Sequence, residues 1–264
     1  MTKTLPYEWS FFMHAIGLTH VGRVRSQNQD AIFVSTERVG AVPNLFIVAD
    51  GMGGHKAGDV ASTQAVQRFC EYLKLTQEHA QGGNYVNLLL QTAQRVNQEL
   101  YDLSKTNDEM AGMGTTFIAC VIENERVDVV HVGDSRAYFI VAEGIGQITN
   151  DHTYAEELYR AGEISAADIP LHPKRHHLTR VLGYDPHVAL DGFSRDLAGV
   201  ASILLCTDGL TNMLDDAYLA QVMQEPAAAH DRAQRLVDDA NASGGTDNIS
   251  AVLIDLQYDG GAKR

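Results

Sequence analysis

The sequence predicts an α+β fold built on antiparallel sheets. Short, β-branched segments follow one another through turn signals, as hairpins do, and the helical segments are grouped rather than alternating strictly with strands. With 264 residues, 45% of them apolar, the chain can bury a large core, and disorder is not the default reading.

Taken in order, Ala31–Val34 and Leu45–Ala49 read as strands. Ala57–Leu75 reads as a helix, because Ala57, Ala61 and Ala65 recur at four-residue steps and Val66, Phe69, Cys70 and Leu73 extend that face. Tyr85–Leu103 follows suit, with Val86, Leu89, Leu90, Ala93, Val96 and Leu100 spaced at three and four. Thr115–Ile122 and Val127–Val132 are strands joined by Glu123-Asn124-Glu125-Arg126, which fits a hairpin, and Ala137–Val141 runs to a turn at Glu143-Gly144. Tyr154–Gly183 is polar, irregular and histidine-bearing, and reads as a surface excursion. Ile203–Cys206 and Ile249–Leu256 are strands, separated by a helix over Ala227–Ala242 that stops near Ser243-Gly244-Gly245.

Charge narrows the function. Against 20 Lys and Arg stand 34 Asp and Glu, a formal net charge of −14. Nucleic acid and anionic membranes are poor partners for such a surface. No apolar run is long enough to span a bilayer, and Met1–Phe12 lacks the basic start and apolar stretch of a signal peptide. Cys70, Cys120 and Cys206 are odd in number and lack CxxC spacing, which suits buried free thiols in a reducing cytoplasm.

The aspartates fall at strand boundaries. Asp50-Gly51, Asp208-Gly209 and Gly133-Asp134 follow strands, while Asp30 and Asp247-Asn248 precede them. In antiparallel sheets, where one strand ends its neighbour begins, so these carboxylates can share one edge. A single Asp-Gly is ordinary turn chemistry. Several together would repel one another and resist desolvation unless cations compensate, and hard divalent ions such as Mg²⁺ or Mn²⁺ are the natural partners.

Other chemistries fit poorly. The glycine-rich Gly51–Gly58 segment lacks both the Walker ending and the last glycine of GxGxxG. Gly133-Asp134-Ser135-Arg136-Ala137 is no nucleophile elbow, and the eleven histidines include no HExxH pattern.

One family matches all of this. Arg25-Ser26-Gln27-Asn28-Gln29-Asp30, Asp50-Gly51-Met52-Gly53-Gly54-His55, Gly114-Thr115-Thr116 and Gly133-Asp134-Ser135-Arg136 occur in that order. Thr149-Asn150-Asp151-His152-Thr153, Leu178–Gly183, Cys206-Thr207-Asp208-Gly209-Leu210 and Gly245-Thr246-Asp247-Asn248-Ile249 complete the series. The chain resembles the metal-dependent protein serine/threonine phosphatases of the phosphatase 2C type, in their compact bacterial form. The match covers about residues 14–256, leaving 1–13 as an N-terminal extension and 257–264 as a tail.

The resemblance implies a β-sandwich of two antiparallel sheets flanked by helices, in α-β-β-α layers. It also implies two Mn²⁺ or Mg²⁺ ions, with a weaker third site. Asp50 would bridge two ions and Gly51 would offer its carbonyl to one. Asp208 and Asp247 would hold the other, Asp30 would lie near the second, and Asp134 would join Asp208 at the third site. Arg25 would grip the substrate phosphate, His55 would act as general acid, and residues 154–183 would form a flap beside the site. Asp151, His152, Thr115, Thr116 and Ser135 read as structural. Gln29 stands where the family usually has a glutamate that orders metal-bound water.

The implied activity is hydrolysis of phosphoserine and phosphothreonine in proteins by a metal-bridging hydroxide, without a phosphoenzyme. The expected partners are phosphorylated proteins made by a serine/threonine kinase, and the enzyme is expected to be a cytoplasmic monomer. The alternatives are a catalytically impaired, phosphatase-like regulatory binding module, supported only by Gln29, and a phosphoesterase for small molecules.

Overall fold

The computed structural model describes residues 11–54, 57–76, 83–106 and 108–258. The strands are β1 (Phe11–His20), β2 (Asp30–Ser35), β3 (Leu45–Met52), β4 (Gly114–Thr115), β5 (Phe117–Glu123) and β6 (Arg126–Val132). They continue with β7 (Arg136–Val141), β8 (Gly144–Gln147), β9 (Asp191–Asp196), β10 (Val200–Cys206) and β11 (Ile249–Tyr258). The helices are α1 (Ala57–Leu75), α2 (Val86–Thr106), α3 (Tyr154–Arg160), α4 (Asp208–Thr211), α5 (Asp216–Met223) and α6 (Ala229–Ala242).

One sheet runs β1-β11-β10-β7-β8 and the other β2-β3-β5-β6-β9, with β4 pairing to β3. All these pairings are antiparallel. The expected α+β sandwich is the fold. Its layers follow from period-2 alternation. In β5, Phe117, Ala119 and Val121 face the layer of α1 and α2, while Ile118, Cys120 and Ile122 face the opposite sheet. In β11, Ala251 and Leu253 pack towards α4, α5 and α6, while Val252 and Ile254 meet Ile118, Cys120 and Ile122 between the sheets. Both faces of the central strands are buried, so they read as continuous apolar runs rather than alternating ones. Each buried Val, Leu, Ile or Phe side chain among these contributes roughly 1.5–3 kcal/mol through burial.

The hairpin expected at Glu123–Arg126 is present, with Asn124 at φ 51° and Glu125 at φ 58°, the left-handed pair of a type I′ turn. The expected strand Thr115–Ile122 is split: β4 pairs to the end of β3, Thr116 falls between, and β5 begins at Phe117. β1, β8 and β9 had no clear signal. β9 is the polar run Asp191-Gly192-Phe193-Ser194-Arg195-Asp196 on a sheet edge, where only one neighbour constrains composition. Among the described residues the sandwich includes Phe11 and Tyr258, so it extends beyond the expected 14–256 at both ends. All three cysteines are buried free thiols, and burial pushes Cys70 up to about 11 and Cys206 to about 12. Among the described residues no helix is long and apolar enough to cross a membrane.

Candidate active site

Antiparallel register brings the first two aspartates together. Asp30, at the start of β2, is the direct partner of Asp50 near the end of β3. The backbone of Asp50 is fixed on both sides: its N–H donates to Thr116 Oγ1 at 2.9 Å, and its carbonyl accepts from the Thr116 N–H and the Thr115 hydroxyl, each at 2.9 Å. Gly51 follows, and a Cβ there would lie 2.0 Å from the Gly58 carbonyl oxygen, so no other residue fits without moving α1.

The other carboxylates arrive from the remaining strand ends. Asp208 opens α4 just beyond β10, and Asn212, one turn later, donates to its Oδ2 at 2.9 Å. Asp247 precedes β11 and accepts from the Asn248 N–H at 2.8 Å. Asn248 then ties this turn to the segment before β2: its Oδ1 accepts from the Gln29 N–H at 2.8 Å, and its amide donates to the carbonyls of Val21 and Gln27. Asp134 lies two residues past the end of β6, after Gly133.

The charges in this cluster are unbalanced. Burial pushes Asp30 up to about 7, with Asp208 and Asp247 adding to the rise although hydroxyls of Ser250 and Thr207 oppose it. Those hydroxyls donate to Asp30 Oδ2 at 2.6 and 2.9 Å. Asp50 is raised by burial and by the charges of Asp30, Asp208, Asp134 and Asp247. Burial and Asp208 raise Asp134, while burial and Asp247 raise Asp208. Asp30 Oδ1 and Asp208 Oδ1 are buried without a hydrogen-bond partner. Carboxylates that repel one another, with two oxygens left over, fit hard divalent cations.

Arg25 donates to Asp247 Oδ2 at 2.7 Å and keeps about half its side chain exposed, at 53%. That bond raises its pKa further, so it is a permanent cation at the rim. His55 lies outside the described residues. The Gln29 side chain packs against Gly58. Asp151 takes a bidentate contact from Arg136 at 2.8–3.1 Å, and Thr116 meets Ser135 at 2.7 Å, as structural residues should.

A cleft of about 760 Å³ opens beside Asp134 and Asp208 and is walled by the 154–183 segment through Ile169, Pro170, Arg175 and His176. This segment is more ordered than its sequence suggests. It holds α3, capped by the Thr153 hydroxyl, and a 3₁₀ turn over Ala166–Leu171 closed by a Ser165/Asp168 capping box. Its exit is held by Asn97 of α2, which accepts from the Gly183 N–H and donates to the Asp185 carbonyl.

Sequence reasoning did not give roles to Thr207, Ser250, Asn212 or Asn248. The signal was faint: Thr207 and Asn248 flank the aspartates directly, and Asn212 stands at helical spacing from Asp208.

The protein phosphatase 2C family model matches residues 16–240. The chain belongs to the protein phosphatase 2C family. As a member it is a protein serine/threonine phosphatase. It is 36% identical over 245 residues to the serine/threonine phosphatase stp of Listeria innocua, a match covering 92% of this chain and 96% of that one. The crystal structure of serine/threonine phosphatase Stp1 from Staphylococcus aureus aligns with a TM-score of 0.86 at 30% identity, over 98% of this chain and 100% of that one. The Mycobacterium tuberculosis serine/threonine phosphatase PstP/Ppp aligns at 0.81 and 30%, over 93% and 99%. Fold and family therefore agree with the phosphatase 2C reading of the motifs.

Proposed function

We propose that this phosphatase hydrolyses phosphoserine and phosphothreonine in proteins with two divalent cations, Mn²⁺ or Mg²⁺, held by the carboxylate cluster, and with a third, weaker site. The observation that carries the reading is the unbalanced charge of Asp30, Asp50, Asp134 and Asp208, together with the two orphaned carboxylate oxygens. Asp50 would serve both ions and the Gly51 carbonyl one of them, Asp208 and Asp247 would hold the other, Asp30 would lie near the second directly or through water, and Asp134 with Asp208 would form the third site. Cations bound there supply Lewis-acid charge and lower the pKa of water, making hydroxide available at neutral pH.

The chain's own groups do the rest. Thr207 and Ser250 both donate to one oxygen of Asp30 and fix the carboxylate, leaving its other oxygen without a protein partner. Asp247 tethers one nitrogen of Arg25, so the rest of the planar fork is pre-oriented for two phosphate oxygens and stabilises their charge in the transition state. His55, five residues after Asp50, would protonate the departing alkoxide. In-line attack by water leaves no covalent phosphoenzyme.

The partners are phosphorylated proteins that a serine/threonine kinase modifies, and the exposed Lys174 and Arg175 on the flap favour acidic ones. The buried thiols suit a cytoplasmic enzyme, acting as a monomer. The regulatory-module alternative is not favoured. Release of phosphate from a phosphothreonine peptide should require added Mn²⁺ or Mg²⁺ and disappear after chelation; full activity in the chelated protein would sink the metal mechanism.

A further inference from the structure

A second group of ionisable side chains, two buried and one half-buried, adjoins Gly133. His131 of β6 and Asp191 of β9 are direct partners across the sheet, and the His152 ring packs on that of His131 with centroids 4.6 Å apart. One nitrogen from each ring and an Asp191 oxygen all lie within 4.8 Å of one another, a spacing a metal ion could use. The hydrogen bonds argue against it. The Gly133 N–H donates to His152 Nδ1 at 3.1 Å, so that nitrogen carries a lone pair and the neutral ring has its proton on Nε2. Nε2 lies 3.2 Å from Asp191 Oδ2 and donates to it.

Both ionisation states agree. Burial, with the charge of Arg180, lowers His152 and keeps the ring neutral. Burial pushes Asp191 up, but the hydrogen bond from His152 together with the charge of Arg180 outweighs it and holds Asp191 below its usual range, as an anion. A ring that accepts at Nδ1 and donates at Nε2 has no lone pair left for a cation.

The backbone of His152 holds the same glycine from the other side. Its N–H donates to the Gly133 carbonyl at 2.8 Å, and its own carbonyl accepts from the Thr179 N–H at 2.9 Å. Asp191 Oδ1 accepts from Arg180 at 3.2 Å. One residue therefore holds both polar groups of Gly133 and is itself anchored to the closing end of the flap. Gly133 needs such a hold. Its φ is +105°, a region glycine enters freely, and a Cβ would stand 2.6 Å from the Thr116 side chain. Glycine fits this turn without fixing it, and the next residue is Asp134.

We propose that the Asp191–His152–Gly133 chain positions Asp134, and so couples cation affinity at that carboxylate to the seating of the flap. The inference deepens the reading of Asp134 as a cation ligand and rests on it. His152, with its ring fully buried, is a positioning residue that acts through the turn.

Isosteric variants separate the two bonds. His152→Gln keeps a donor near Nε2 but loses the Nδ1 acceptor, whereas His152→Asn keeps an acceptor for Gly133. Mn²⁺ binding to the full-length proteins, followed by calorimetry and by paramagnetic resonance of free Mn²⁺, defines the Asp134 site as the one that Asp134→Asn removes. At that site His152→Gln and Asp191→Asn should weaken binding about 10-fold or more, the scale of losing an outer-shell partner. The tighter sites should stay within about twofold, and His152→Asn, which keeps the Gly133 acceptor but not the donor to Asp191, should bind more tightly than His152→Gln and more weakly than wild type. If Asp134→Asn leaves Mn²⁺ binding unchanged, the ligand reading falls and the inference with it. If it removes a site that His152→Gln and Asp191→Asn leave at wild-type affinity, the positioning inference alone is overturned.

A measurement on the unmodified protein guards against variants that fail to fold. Nitrogen NMR of the metal-free chain should show His152 Nδ1 unprotonated and Nε2 protonated. The opposite tautomer, or displacement of the Nε2 proton by stoichiometric Zn²⁺, would overturn the proposal.

Discussion

Asp30, Asp50, Asp134, Asp208 and Asp247 gather where strands end, and His131, His152 and Asp191 gather beside Gly133. Both groups are largely buried and both have metal-ligating side chains. In the first, burial and like charge raise Asp30, Asp50, Asp134 and Asp208 together, and two oxygens have no partner. In the second, the one acid is answered by Arg180 and by the His152 Nε2 proton. Neither the inventory of ligating side chains nor the unpartnered atoms tell the two apart, since both His131 nitrogens also lack a hydrogen-bond partner. Charge balance and hydrogen-bond direction do: a cluster that cannot neutralise itself needs a ligand, while one that can is part of the scaffold.

The comparison can be broken most decisively with Asp208→Asn. This change should lower kcat/KM for a phosphothreonine peptide by well over the roughly 10–100-fold typical of losing an outer-shell contact. Its circular dichroism should stay native, because it removes one source of repulsion from the cluster. Retention of most of the activity would take Asp208 out of the proposed cation set.

A smaller effect is expected from pH in the metal-free protein. Folding raises Asp30 to about 7, chiefly by burial. Between about pH 4, where a free carboxyl ionises, and the folded value, the folded state holds a proton that the unfolded chain has released. Stability from this group is therefore full below that window and is lost as pH rises through it. The upward shifts of Asp50, Asp134 and Asp208 act in the same sense. Thermal melts should fall from pH 5 to pH 7.5 without metal, by roughly 2–4 °C for each kcal/mol lost, and Mn²⁺ should abolish most of the fall. A metal-free Tm that rises over this range would mean the carboxylates are not mutually destabilising.

The smallest effect should come from the balanced cluster. The His131 ring is fully buried, its nitrogens have no hydrogen-bond partner, and burial drives its pKa down to about 3. It serves as a neutral ring against His152. His131→Phe keeps that surface and removes two unsatisfied polar atoms, so its Tm should be within a few degrees of wild type, an energy change below about 1.5 kcal/mol. A severe loss, with metal content falling in parallel, would favour a ligand role instead.

Much of the architecture was legible in the chain. Period-3.6 faces located α1 and α2, the stop signal at Ser243-Gly244-Gly245 marked the end of α6, and β-branched runs located the central strands of both sheets. The edge strands β1, β8 and β9 escaped because a strand with one neighbour need not be continuously apolar. α3 escaped because its seven residues bury only Ala155, leaving almost no apolar stripe to read. Asp50, Asp208 and Asp134 were visible as carboxylates just past strand ends, and Asp30 and Asp247 as carboxylates just before them.

The sequence by itself determined the type of the buried elements, the turn at Asn124-Glu125, the family, and the location of five aspartates at strand boundaries. These are local patterns, and local patterns are encoded in neighbouring residues. Only the tertiary structure decided what supports them. Thr207 and Ser250 reach Asp30 across 177 and 220 residues of chain. His152 meets Asp191 across 39 residues and clamps Gly133 across 19. Which strands become neighbours is fixed by how two sheets and two helical layers share buried surface, and no periodicity in a single segment carries that information.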